Sequence, residues 1–154
     1  MQTVDYTPET LDQPLEKPEK HMSVFEYKRP EELASKTHVP IARSDIMYCA
    51  VQVVTDGGET NMHSHEGMDG LWFVLKGRVR FYNKDKLVGE FGQHQGVFVP
   101  RGVAYWFESV GDEPLEILQA EAIDRRGSNR RTDFAARTRK GGPSKVVKGA
   151  FRPV

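Results

Sequence analysis

The segment that decides the fold is "HSHEGMDGLWFVLKG", residues 63–77. His63 and His65 stand two positions apart, and side chains at positions i and i+2 of a β-strand share one face. We therefore expect the two imidazoles to point together into the interior of a β structure. An apolar run follows them and ends at Gly77, as a short strand closed by a turn would.

Short β-rich runs continue from this segment in both directions. The turn sequences "TDGG", "NKDK", "PRG" and "VGDEP" separate them, and almost no helical periodicity occurs between them. The runs are "IMYCAVQVV" (46–54), "RVRFY" (78–82), "LVGEF" (87–91), "GVFVP" (96–100), "AYWFES" (104–109) and "LEILQAEA" (115–122). About eight short strands at this spacing are typical of an antiparallel sandwich or barrel. The sequence therefore predicts an all-β fold.

Three regions differ in composition along the 154 residues, a length that suits one domain with a core. Residues 1–40 are rich in Pro, Glu and Lys and are expected to form an N-terminal arm. Within the arm, "PEELAS" (30–35) predicts a short helix and "SVFEYK" (23–28) predicts an added strand. The β domain is expected to span residues 41–123, followed by a basic extension at 124–154.

The formal net charge of zero hides an asymmetry between the body and the extension. Residues 1–123 hold 12 Lys/Arg and 20 Asp/Glu, net −8, whereas residues 124–154 hold 10 Lys/Arg and 2 Asp/Glu, net +8. A basic segment can bind nucleic acid. This one has a single aromatic residue, Phe134, before its last residues, so it lacks a base-stacking pattern. We expect it to dock on an acidic surface, either its own body or a partner subunit, and we do not expect a nucleic-acid partner.

The cellular setting is indicated by two further features. Cys49 is the only cysteine, so no intramolecular disulfide can form, and its apolar neighbours indicate a buried structural thiol in a reducing cytoplasm. The longest apolar run, residues 71–75, is far too short to span a bilayer, and the first residues lack a signal pattern. The sequence therefore predicts a cytoplasmic protein without a membrane partner.

Two stretches resemble the paired motifs of the cupin superfamily, which are small β-barrels of jelly-roll type. The stretches are "GGETNMHSHEGMDGLWFVLKG" (57–77) and "GVFVPRGVAYWFES" (96–109). The first motif of that family has His-x-His, then three or four residues, a glutamate, six residues and a glycine. His63 and His65 match its histidines, while Gly70 stands in place of the glutamate. The resemblance covers residues 41–123 and implies a single cupin barrel with an arm and an extension outside it.

The second motif is also only partly kept. Pro100 and Gly102 match its Pro-x-Gly, whereas Tyr105 takes the place of the last histidine and Ser109 that of the asparagine. His94 falls on the opening glycine. Two of the four metal ligands of the family pattern are thus retained.

The strand pleat and the resemblance together predict a cavity wall. Side chains two apart share a face, so Trp72 should face inward with position 70, and Phe107 with Tyr105. The expected wall is His63, His65, Gly70, Trp72, Tyr105 and Phe107, with Phe98 or Val97 from the neighbouring strand. An aromatic pocket with a few converging polar groups is typical of a small-molecule site. Arg101 is the best-placed cation for an anionic substrate.

The favoured functional hypothesis is a metal-dependent enzyme of oxidoreductase, isomerase or decarboxylase type. Two imidazoles on one face suit Fe, Mn, Ni, Cu or Zn, and the sequence does not identify the metal. Tyr105 is the expected third ligand, and Asp69 would be a fourth if the strand were bulged there. A centre on His63 and His65 would activate a carbonyl or dioxygen as a Lewis acid.

Two other functions stay open. In a metal-free enzyme, His63 or His65 would take a proton next to a carbonyl, and Tyr105 would act as the acid; the resemblance implies this for some isomerases and epimerases. In a non-catalytic domain, the same pocket would only bind a small molecule. A homodimer is expected in each case, since barrels of this family usually pair.

Overall fold

The computed structural model describes residues 20–58, 61–135, 144–147 and 151–154. These residues form thirteen strands and no helix, which confirms the all-β prediction. The strands are β1 (Ser23–Phe25), β2 (Lys36–Arg43), β3 (Met47–Val54), β4 (His63–His65), β5 (Met68–Lys76), β6 (Arg78–Tyr82), β7 (Leu87–Phe91), β8 (Gly96–Val99), β9 (Trp106–Val110), β10 (Leu115–Ile123), β11 (Arg131–Asp133), β12 (Ser144–Val146) and β13 (Phe151–Pro153).

The helix predicted for "PEELAS" is wrong, because the segment uses its backbone groups in other contacts. The carbonyl of Ser35 accepts the backbone N–H of Thr55 at 2.9 Å, and the N–H of Ala34 donates to the Thr37 hydroxyl at 3.0 Å. Such tertiary contacts override a weak local helix propensity. The strand predicted near residues 23–28 is present as β1.

A six-stranded sheet and a three-stranded sheet form the body. The large sheet has the order β12-β2-β3-β10-β5-β8 and the small one β7-β6-β9. Two further pairs, β4 with β11 and β1 with β13, complete the described part of the chain. The sheets do not close into a continuous ring, so the fold is a jelly-roll sandwich rather than a closed barrel.

The core lies between the two sheets and follows the period-two alternation of the strands. In β5, Trp72 and Val74 are fully buried, whereas Leu71 and Phe73 are largely exposed on the opposite face. The largest core side chains are aromatic: the ring centroid of Trp72 lies 5.0 Å from that of Phe107 and 6.1 Å from that of Phe81. Burying each such side chain contributes about 1.5–3 kcal/mol.

The described parts of the N-terminal arm and of the extension pack on the body of the same chain. The Tyr27 hydroxyl donates a hydrogen bond to Glu116 in β10, and burial and then this carboxylate raise the pKa of Tyr27. Strand β2 crosses the expected boundary at residues 40/41 and belongs to the large sheet. The described part of the extension pairs with β4 through β11 and contacts acidic body residues, with Arg125 Nη1 3.1 Å from Asp45 Oδ2. Exposed ion pairs of this kind add little stability each.

The described residues contain no helix long and apolar enough to cross a membrane.

Candidate functional site

The two histidines of β4 are buried and converge as the pleat requires. His63 is 1% exposed and His65 is 8% exposed. Their ring centroids are 5.0 Å apart with the planes nearly perpendicular. Because β4 is only three residues long, its position depends on its pairing with β11, where Arg131 stands opposite His65. Strand β11 of the basic extension thus helps to hold β4 in place.

Tyr105 lies directly across from His63. Their backbones exchange two hydrogen bonds, His63 N to Tyr105 O at 3.1 Å and Tyr105 N to His63 O at 2.9 Å. The ring centroids are 4.7 Å apart, and the tyrosine is 7% exposed. The structure therefore brings together the three residues that the sequence singled out for chemistry.

A backbone carbonyl fixes the tautomer of His63. Its Nδ1 lies 2.8 Å from the carbonyl oxygen of Asn61, and a carbonyl oxygen can only accept a hydrogen bond. The neutral ring therefore carries its proton on Nδ1 and the lone pair on Nε2. Asn61 is held in turn by Asp133 at 2.9 Å and Arg131 at 2.6 Å. The extension therefore orients the ring through Asn61.

Sequence reasoning missed the acidic residue of the site, Glu121. Strand β10 pairs with β5 so that Glu121 stands directly opposite Gly70, and directly opposed residues share a face. Glu121 is 2% exposed. Its carboxylate is therefore near the position where a side chain at residue 70 would have pointed. The period-two pattern of "LEILQAEA" contains this residue, but it does not show which face of the strand turns inward.

A row of amide side chains leads to this carboxylate. The side-chain N–H of Gln52 in β3 donates to Gln119 at 2.6 Å, and the side-chain N–H of Gln119 donates to Glu121. All three are less than 9% exposed. Together with burial, the Glu121 carboxylate raises the pKa of Cys49, so the thiol stays protonated and inert.

Histidine, tyrosine and glutamate meet at one small hollow between the sheets. Its lining is His65, Met68, Gly70, Trp72, Val99, Pro100, Val103, Tyr105 and Glu121. It leaves about 10 Å³ for the centre of a water molecule, room for about one water. The indole Nε1 of Trp72 is buried without a hydrogen-bond partner in the described part of the chain. A Cβ built on Gly70 would lie 3.3 Å from that nitrogen, so the donor faces the space that the glycine leaves open.

Comparisons with known proteins agree with this architecture. The model of the cupin domain family matches residues 50–120. A segment of just under half of the chain is therefore similar to the cupin domain. The matched segment ends one residue before Glu121 and includes both histidines and Tyr105. No curated protein matches the sequence.

Solved structures with a similar fold are distant in sequence. The cupin domain of Cnp3 from Schizosaccharomyces pombe superposes with a TM-score of 0.52 at 16% identity, covering 56% of this chain and 64% of that one. A cupin superfamily protein from Desulfitobacterium hafniense gives 0.51 at 18% identity, covering 64% and 84%. An uncharacterized conserved protein with a double-stranded β-helix domain from Klebsiella pneumoniae gives 0.57 at 16%, covering 71% and 92%. At these identities the similarity shows the fold alone.

Two residues expected at the cupin site lie outside the hollow. Asp69 does not turn inward, because the register of β5 with β10 is regular at this position. Its carboxylate accepts the backbone N–H of Arg101 at 2.8 Å and so holds the turn at the mouth of the hollow. The Arg101 side chain is bound to Asp124 at 2.8 Å on the surface. Neither residue is placed to touch a ligand inside.

Fewer aromatic residues line the hollow than the sequence predicts. Phe98 is 59% exposed on the outer face of β8, while Val97 packs against the core. Phe107 is fully buried among core side chains and does not line the hollow, and neither does His63. Trp72 and Tyr105 are the aromatic residues of the lining.

The donor set does not match that of a three-ligand catalytic metal centre. Such centres take three protein ligands and leave one position open. Among the described residues, no group of three or more His, Cys, Asp or Glu side chains lies close enough to hold one ion. His63 and His65 supply two nitrogens, and the phenol of Tyr105 must lose a proton before it can serve as a ligand. We derive no chemical step through a metal.

Proposed function

We propose that this domain binds a small carbonyl compound in the hollow and transfers a proton next to the carbonyl group. The observation that carries the proposal is the convergence of His65, Tyr105 and Glu121, from three separate segments of the chain, on one buried hollow. Burying polar groups is costly. Such convergence is therefore more typical of a functional site than of a core.

The roles follow from the chemistry of each group. The imidazole of His65 is the base that takes a proton from carbon, since an imidazole can exchange protons near neutral pH. In this proposal the Trp72 indole N–H and the Tyr105 hydroxyl donate to the carbonyl oxygen, where negative charge develops. His63 packs against the ring of Tyr105 and so restricts the movement of that ring.

A ligand larger than water enters by displacement of the turn at the mouth. Pro100 and Val103 line the hollow and are both exposed to solvent. The turn is held by the Asp69–Arg101 bond and by the N–H of Gly102, which donates to the His65 carbonyl at 2.7 Å. Movement of this turn would therefore couple ligand entry to the position of His65.

The metal-dependent enzyme and the non-catalytic binding domain are the other candidates. In favour of the metal, the Asn61 carbonyl holds Nδ1 of His63 and directs Nε2 away from it, as outer partners of metal-bound histidines do. Against it stands the missing third donor. The homodimer and the cytoplasmic setting remain predictions.

The experiment that tests the proposal is deuterium incorporation from solvent into hydroxyacetone, followed by ¹H NMR. The wild-type protein, treated with a chelator, is expected to exchange protons next to the carbonyl at least 10 times faster than the buffer. Tyr105→Phe should lower that rate at least tenfold, because general acid catalysis commonly contributes about 10²–10⁴-fold. Trp106→Phe is the matched control, since Trp106 packs on Tyr82 outside the hollow. Exchange at the buffer rate would refute the metal-free proton transfer and leave the metal-dependent enzyme and the binding domain as candidates.

A further inference from the structure

The charged groups around the hollow point to the kind of ligand it accepts. Its lining contains one carboxylate, Glu121, and no lysine or arginine among the described residues. Arg101, the cation that the sequence favours, is exposed, and its guanidinium forms ion pairs with Asp69 and Asp124 on the outer surface. The guanidinium of Arg101 is therefore engaged outside the hollow and does not belong to its lining.

Glu121 is held in place by a row of buried, hydrogen-bonded amide side chains. Gln119 donates to its Oε1, and Gln52 donates to Gln119, all within the otherwise apolar interior. Amide and carboxylate groups are costly to bury unless they are hydrogen-bonded, and a hydrogen-bonded row fixes their geometry. The row therefore positions one carboxylate at the hollow, in the space opposite Gly70.

We propose that Glu121 is the specificity-determining residue of the hollow, that it accepts a hydrogen bond from a hydroxyl group of the ligand, and that it excludes carboxylates and phosphates. Two like charges repel most strongly where the dielectric constant is low, as in a water-poor hollow. A neutral hydroxy-carbonyl compound satisfies both kinds of group present: its hydroxyl donates to Glu121, and its carbonyl accepts from Trp72 or Tyr105. This inference rests on the hollow being the ligand site of the proposed function, and it reverses the expectation of an anionic substrate bound by Arg101.

The test compares two probes of nearly equal size, hydroxyacetone and pyruvate, by following the ¹⁵N–¹H signal of the Trp72 indole. The chain has two tryptophans, so Trp106→Phe assigns the signal. In the wild-type protein, hydroxyacetone is expected to bind at least tenfold more tightly than pyruvate. In Glu121→Gln the preference should fall below threefold, mainly because pyruvate binds better. Glu108→Gln, which makes the same charge change beside Tyr82 outside the hollow, should keep the wild-type preference.

Three results would overturn the inference: no saturable shift with hydroxyacetone, tighter binding of pyruvate by the wild-type protein, or an unchanged preference in Glu121→Gln. If Glu121→Gln fails to fold, Glu121→Asp decides. It keeps the charge and should keep the preference for hydroxyacetone with lower affinity, whereas a preference for pyruvate would contradict the inference. Selective binding without deuterium exchange would leave the inference standing and refute the proposed catalysis. Deuterium exchange that is equally fast with either probe would support the proposed catalysis and refute the inference about Glu121.

Discussion

Glu121 stands directly opposite Gly70 in the antiparallel pairing of β10 with β5, and the glycine places no side chain beside the carboxylate. In the cupin pattern that the sequence resembles, a glutamate is expected at position 70 itself. The chain thus carries a carboxylate on the neighbouring strand, on the same face of the sheet. The site therefore differs from the family pattern, while an acidic group remains in the lining that His65 shares.

Asp69 is predicted to stabilise the mouth turn and to have no part in metal binding. Asp69→Ala removes the acceptor of the Arg101 N–H and should lower the free energy of unfolding by about 1 kcal/mol. Asp69→Asn keeps an acceptor oxygen and should lose less. Urea unfolding of both variants measures the difference. Equal losses in the two variants would show that the turn does not depend on this bond.

Cys49 is predicted to be a protected thiol whose ionisation destabilises the fold. Burial and Glu121 raise its pKa in the folded protein above the ordinary value. The stability gained by keeping the thiol neutral is fully present below the unfolded pKa and is lost as the pH rises toward the folded pKa. A disulfide reagent should therefore modify native protein far more slowly than unfolded protein, and Cys49→Ala should be less sensitive to pH above 9.0. Rapid modification of the native protein at neutral pH would contradict this account.

How much of this structure is readable in the sequence depends on the element. The all-β fold and the His63–His65 convergence follow from a period-two pattern and turn residues, which are local features. Local sequence features do not determine which face of β10 turns inward. Its inward face holds Leu115 and Ile117 in the core and then Gln119 and Glu121, whereas Leu118 lies on the opposite face with two alanines.

The inward direction of β10 is fixed by its register with β3 and β5, which no single segment encodes. Neither face of β10 is uniformly apolar, so the local pattern does not choose between the two orientations. Buried polar residues on a core strand are an exception to patterning of the kind that functional sites carry. Phe98 shows a similar limit: in "GVFVP" the smaller Val99 is buried and the aromatic ring is exposed.

A homodimer is predicted to form through the outer face of β5 and β8. Leu71, Phe73 and Phe98 are exposed there side by side, and β8 is the edge strand of the large sheet. Phe98→Asp should halve the molar mass measured by light scattering after gel filtration. Leu87→Asp, at another exposed apolar position, on β7, is the control and should leave the mass unchanged. A wild-type monomer would refute the homodimer.

Metal content separates the metal-dependent candidate from the metal-free one. With two imidazole donors and no third close ligand in the described residues, we expect less than one divalent ion per ten chains after purification and dialysis. Elemental analysis of the wild-type protein and of His65→Ala measures this. Stoichiometric metal that disappears in the variant would restore the metal-dependent hypothesis.

Titration of hydroxyacetone into the wild-type protein and into Gly70→Ala tests whether the hollow beside Trp72 is the ligand site. The added methyl group would lie 3.3 Å from the indole nitrogen and fill a space with room for about one water molecule. Ala122→Val adds bulk on the exposed face of β10 and serves as the control. We predict a saturable shift of the Trp72 indole signal in the wild-type and control proteins and its loss in Gly70→Ala. The same saturable shift in all three proteins would contradict a ligand site in this hollow.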